Sequence, residues 1–157
     1  MERIEGDEQA FVRDHEPVDQ QERRTTLAIL LAARVETLRL INGASDGQLD
    51  KVDPSRRLPG WASWTTARRM AWHIADTESR YYLPNLGLPA RQRLPDLEAE
   101  LRASAEHVIR TVETLPATPL VVREGGELWS SVKLLRRLAW HERGELVVLR
   151  RLLDSRC

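Results

Sequence analysis

Cysteine is almost missing from this chain of 157 residues: there is one, Cys157, at its very end. A disulfide framework is therefore excluded, and the composition is the one expected in a reducing cytoplasm. Charge of one sign is missing too. Lys and Arg number 24 and Asp and Glu number 24, so no overall field attracts nucleic acid or an anionic membrane. Long apolar runs are also lacking. The longest, Leu27 to Ala33, is far too short to span a bilayer. The first stretch, MERIEGDEQAFVRDHEPVDQ, is acidic and has no apolar core of signal-peptide type. These absences predict a soluble, cytoplasmic protein with neither nucleic acid nor membrane as partner.

Familiar catalytic signatures are absent as well. There is no P-loop, no Rossmann glycine fingerprint and no cysteine nucleophile with a base. The run His141-Glu142-Arg143-Gly144-Glu145 begins like a zincin motif, but a glutamate stands where the second histidine belongs. No Glu-x-x-His pair occurs, which removes the usual carboxylate di-iron bundle.

What is present is helical periodicity. The length suits one domain able to bury a core without staples. Residues 1–18 read as an N-terminal arm whose sizeable apolar groups are Ile4, Phe11 and Val12, with His15 as a solvated loop histidine. Residues 19–157 read as one helical domain. A first helix spans about Val18 to Ile41, with Leu27, Leu31, Val35, Leu38 and Ile41 close to helical spacing and Arg34 and Arg39 free to snorkel. Asn42-Gly43 stops it, and Ser45-Asp46-Gly47 reads as a turn. The connection from Gln48 to Ser63 is too long for a tight hairpin and predicts a crossing of the bundle end.

A second helix starts near Trp64-Thr65-Thr66 and ends near Leu83, before Pro84; Met70, His73 and Thr77 share one of its stripes. A third opens at Leu94-Pro95-Asp96 and carries the seam Leu94, Leu97, Leu101, Ala105 or Ser104, Val108, Val112 and Leu115, with His107 flanking it. Residues 120–129 predict a small β-ribbon turning at Gly125-Gly126. Ser130-Ser131 caps a fourth helix that runs to about Leu153. The fold class expected is all-α, a four-helix bundle.

The fourth helix holds the most informative stretch. RRLAWH at Arg136 to His141 nearly repeats RRMAWH at Arg68 to His73. Leu134, Leu138, His141, Glu145, Val148 and Leu152 fall at alternating steps of four and three, one continuous stripe. His141 and Glu145 thus interrupt an apolar seam, and a buried polar pair without partners costs about 1–3 kcal/mol per group. His73 is the natural partner on another helix. Two imidazoles and a carboxylate suit Zn²⁺, Ni²⁺ or Fe²⁺, and three protein ligands leave positions open, as in catalytic sites. Asp76 and Glu142 are candidates to support the ligands. The competing reading is a satisfied core histidine cluster without metal. Trp72 and Trp140, each before a histidine, read as flank packing, and the two arginine pairs as solvated faces.

WTTARRMAWHIADTESRYYL with the later GELWSSVKLLRRLAWHERGEL resembles the DinB-like superfamily of bacterial four-helix-bundle proteins, over residues 20 to 153. The resemblance implies an up-down-down-up bundle with a metal bound by one histidine on helix two and a His-x-x-x-His pair on helix four. It also implies hydrolysis, or transfer of a low-molecular-weight thiol cosubstrate, with a small molecule as substrate. Family habit, together with the apolar groups of the arm, points to a homodimer. The ligand positions fall on His73, His141 and Glu145, the last departing from the family's histidine toward a harder, anionic ligand. An alternative register, matching Arg143-Gly144-Glu145-Leu146 to the family's Arg-Gly-Gln-Leu tail, would put Leu138 and Glu142 at the helix-four positions. A degenerate, metal-free bundle serving as an interaction module is the alternative function.

Overall fold

The computed structural model describes residues 10–154; Ile4 in the arm and Cys157 lie outside them. Helix dominates, with one two-stranded antiparallel sheet. The elements are α1 (Gln20–Gly43), α2 (Asp46–Leu49), α3 (Ala67–Thr77), a π-helical turn (Glu78–Tyr82), α4 (Leu83–Asn85), α5 (Leu97–Glu113), β1 (Val121–Glu124), β2 (Glu127–Ser130) and α6 (Ser131–Asp154). Helix α1 packs on both α5 and α6, and α3 packs on the same two.

Local chemistry sets the boundaries. Asp19 caps α1, accepting from the Gln21 amide, while Glu22 reaches back to the Asp19 amide. Ser45 and Gln48 make a second capping box, so the predicted turn at Ser45-Asp46-Gly47 is instead the start of the one-turn helix α2. Thr66 caps α3 through the Arg69 amide, and Asp96 caps α5 through the Ala99 amide. Leu94 therefore lies before α5 and is exposed rather than in its seam. Leu97, Leu101, Ser104, Val108, Val112 and Leu115 are all buried, as the spacing predicts. The ribbon turns at Gly125 and Gly126, both at positive φ (57° and 81°), pairing Glu124 with Glu127 and Val121 with Ser130.

Helix α1 is rotated from its predicted face. Leu31 and Val35 are exposed, while Thr26, Leu30, Ala33, Arg34, Thr37 and Ile41 are buried. Arg34 does not snorkel; it points inward because two acids await it there. Nor does the second helix run straight to Pro84. Its α-helical part ends at Thr77, and the π-turn adds a wider loop of backbone before Pro84, which sits in the short α4.

The apolar core falls into two clusters. One gathers Leu30, Tyr82, Leu83, Val108, Val112, Trp129, Leu134 and Leu138; the other gathers Ile41, Met70, Ala71, Leu97, Leu101, Leu149 and Leu152. On each long helix a buried polar group stands between its contributions to the two: Arg34 on α1, Ser104 on α5, His141 and Glu142 on α6, and Glu78 and Ser79 just after α3. A polar layer thus crosses the middle of the core.

Residues 10–16 are tied to this body. The fully buried Asp14 takes two hydrogen bonds from Arg136 (2.6 and 2.9 Å) and one from the Phe11 amide, and Phe11 lies under the Arg136 guanidinium. Arg68 pairs with Asp46 and Asp50, and Arg137 stands over Tyr82 and Trp140. Arg68, Arg136 and Arg137 are thus structural clamps, while Arg69 is the solvated residue that the sequence predicts. His15 is exposed and His107 partly so, its Nε2 at 2.9 Å from the Pro89 carbonyl.

Candidate metal centre

Three side chains from two helices meet at one edge of the polar layer. His73 Nε2 lies 3.4 Å from His141 Nε2, and Glu145 Oε1 lies 3.8 Å and 3.9 Å from the two nitrogens. Helix α6 supplies His141 and Glu145 one turn apart, and α3 supplies His73 opposite them. Leu138 and Glu142, the helix-four positions of the alternative register, do not join this group: Leu138 lies in the apolar core, and Glu142 points to Arg34.

The imidazoles are oriented from behind. His141 is buried, and its Nδ1 is 3.2 Å from Glu78 Oε1. Burial pushes its pKa down to about 4, against the opposing pull of Glu145 and Glu142, so the ring is neutral at neutral pH. With a proton on Nδ1 shared with Glu78, its Nε2 lone pair faces His73 and Glu145. His73 Nδ1 is 3.1 Å from the Thr77 hydroxyl, one turn along, and the ring lies flat on Trp64 with centroids 3.6 Å apart. Tyr82 meets the His141 ring edge-on.

Behind Glu78 stands a buried carboxyl pair on one cation. Arg34 donates from Nη2 to Glu78 (3.0 Å), from Nε and Nη2 to Glu142 (3.1 and 2.7 Å), and from Nη1 to the Leu101 carbonyl (2.7 Å). Burial raises both acids to about 7, against the lowering pull of Arg34. Glu142 Oε2 has no hydrogen-bond donor among the described residues and lies against the Glu78 carboxyl. One proton shared between the acids satisfies it and leaves a single negative charge opposite Arg34.

Glu145 is partly exposed. Burial would raise its pKa, but His73, His141 and Arg56 outweigh that and hold it as a carboxylate. Arg56 comes from the long connection, which thus brings a positive charge toward this site. Asp76 is not directed at His73: Arg80 holds it at 2.9 and 2.6 Å, and Arg93 approaches it at 3.4 Å.

The donor set fits a divalent cation. Two ligand atoms at tetrahedral angles around Zn²⁺ are about 3.3 Å apart, given bonds of roughly 2.0–2.1 Å. The observed edges of 3.4, 3.8 and 3.9 Å are near that value. The two edges to Glu145 are too long for hydrogen bonds, so the carboxylate is not satisfied by either ring. Among the described residues this is the group of His, Cys, Asp and Glu side chains close enough to hold an ion.

Sequence reasoning singled out His73, His141 and Glu145 from their stripes, and the three do come together; Glu142, expected to support the ligands, hydrogen-bonds Arg34 instead. It missed Glu78 and the inward turn of Arg34. Glu78-Ser79-Arg80 reads as the polar end of a helix, and nothing in the local pattern announces a π-turn. The pairing of Arg34 with acids 44 and 108 residues away has no short-range signal. Compared with known proteins, the chain matches no family model, no curated protein and no solved structure.

Proposed function

We propose that His73, His141 and Glu145 bind one divalent cation, Zn²⁺, Ni²⁺ or Fe²⁺. On this reading the chain is a DinB-like four-helix bundle of up-down-down-up order, acting on a small molecule as a metal-dependent hydrolase or thiol transferase. The observation that carries it is the triangle of three ligand atoms, in which Glu145 lies beyond hydrogen-bond distance of both rings. A bound cation of this kind lowers the pKa of a coordinated water or holds a thiolate. The chain's own residues do the rest. Glu78 fixes the tautomer and tilt of His141, as carboxylates behind metal-binding histidines commonly do. The Thr77 hydroxyl can accept from His73 Nδ1–H and so leave its Nε2 lone pair free. Glu142, fully enclosed, holds Arg34 against Glu78 rather than touching substrate. Glu145, reachable from solvent, stands beside the open side of the site.

Thermal unfolding of EDTA-treated, tag-free protein with each ion tests this. A concentration-dependent rise in Tm is expected, worth about 2.7 kcal/mol at a hundredfold excess over Kd. It should vanish in His141→Ala. No rise with any ion, or an undiminished rise in His141→Ala, would leave the metal-free interaction module as the better reading. Sedimentation at low concentration tests the homodimer that the family habit implies.

A further inference from the structure

We infer that the substrate of this site is a small oxyanion, a carboxylate or a phosphate, held by Arg69 and Arg93 in the cavity beside His73. This inference rests on the reading that the triad is the reactive centre, and it adds the chemistry of what binds next to it. The cavity measures about 300 Å³ and is lined by His73 together with Trp64, Trp72, Arg69, Arg93 and Asp76. That volume is at the small end for ligand sites. A molecule seated there touches the exposed side of a triad histidine.

Its walls are basic, although the chain as a whole carries no net charge. Arg69 is exposed, donates one long hydrogen bond to the Ser63 carbonyl (3.3 Å), and feels Asp50 only at a distance, with no ion pair to a carboxylate among the described residues. Arg93 reaches Asp76 at 3.4 Å, but Asp76 is already held by Arg80 at 2.6 Å. Arg91 and Arg80 in turn converge on the buried Glu100. Asp76 and Glu100 are thus committed to Arg80 and Arg91, and Arg69 and Arg93 keep donor capacity facing the cavity. A guanidinium has five N–H donors in a fixed fork that matches carboxylate and phosphate oxygens. Arg93 is set in place by Trp72, 3.7 Å from the ring centroid, so it is presented as a stacked, oriented donor. Trp64, stacked on His73, gives the cavity an apolar wall for the rest of the molecule. A cationic ligand would meet repulsion here, and a neutral one would leave the guanidiniums' donors to water alone.

The test uses benzoate, phenyl phosphate and neutral benzamide as probes on the full chain, with and without EDTA treatment, read by calorimetry and tryptophan fluorescence. Benzoate or phenyl phosphate should bind saturably and benzamide should not; the tighter of the two anions identifies the oxyanion. Binding should weaken about tenfold in Arg69→Gln and in Arg93→Gln, the loss of one charge-assisted hydrogen bond, and be partly restored in Arg69→Lys. Both guanidiniums are exposed, so the variants should melt with the wild type, which separates lost binding from lost folding. Benzamide binding as well as benzoate, or anion affinity unchanged in both Gln variants, would overturn the inference. Anion binding that disappears with EDTA yet is indifferent to Arg69 and Arg93 would place the anion on the cation, overturning this proposal while supporting the metal. Arginine-dependent anion binding in a protein that no cation stabilises would do the reverse.

Discussion

Arg34 shows how far one side chain can organise a core. Its guanidinium is buried, and four hydrogen bonds join it to two acids and a carbonyl from three other parts of the chain. A buried ion pair is often no better than apolar packing of the same shape, but removing one partner strands the others. Arg34→Met should therefore cost about 3–5 kcal/mol in urea unfolding, because Glu78 and Glu142 would lose the cation they share. Adding Glu78→Gln and Glu142→Gln to that variant should recover part of the loss. A triple variant no more stable than Arg34→Met would mean that the arginine's packing, not its charge, matters. His141 lies on the same network, so its direction toward His73 depends on a residue 107 positions earlier in the chain. That dependence is why the triad could be guessed from spacing while its support could not.

At the scale of elements, the segments that obeyed local rules were legible and those that answered to distant partners were not. The seam of α5, the Ser130 cap of α6 (Lys133 amide, 3.0 Å) and the ribbon turn at Gly125-Gly126 all follow from short-range spacing or backbone sterics. The turn offers a direct check. Gly126 sits at φ 81° with open space around the position of a Cβ, so only backbone strain penalises a side chain there. Gly126→Val should cost about 1–2 kcal/mol, whereas Gly47→Val, also in open space and at ordinary φ, should escape that strain. Equal losses in thermal unfolding would show that the turn does not hold its geometry. Helix α1 and the π-turn behave differently. Their apolar residues alone predict a face through Leu31 and Val35, but the helix rolls to bury Arg34, leaving those two at 52% and 67% exposure.

The whole molecule is two apolar clusters separated by a polar layer, with ion-paired clamps at its rim. Glu100 is the clearest rim clamp: its side chain is fully buried and accepts from Arg91 (2.7 Å), the Leu94 amide (2.8 Å) and Arg80. Burial would raise its pKa, yet those three donors outweigh burial and lower it. A carboxyl depressed in the folded state stabilises fully above its unfolded pKa of about 4.3, and that contribution disappears as pH falls through the folded value. Glu100→Gln should thus be less stable than wild type at pH 7, with the gap closing below about pH 4. A gap independent of pH would assign the loss to packing.

The sequence by itself determined the helical periodicity, the caps, the ribbon turn and the stripe that places His141 and Glu145 on one face. These are consequences of residues within a turn or two of one another, where backbone geometry leaves few choices. Only the tertiary structure decided which face of α1 turns inward, that Glu78 stands behind His141, and that Arg69 and Arg93 share a cavity with His73. Each of those depends on charges and donors far apart in the chain. A buried acid takes whichever cation the packing brings to it, and the local sequence carries no record of which one that will be.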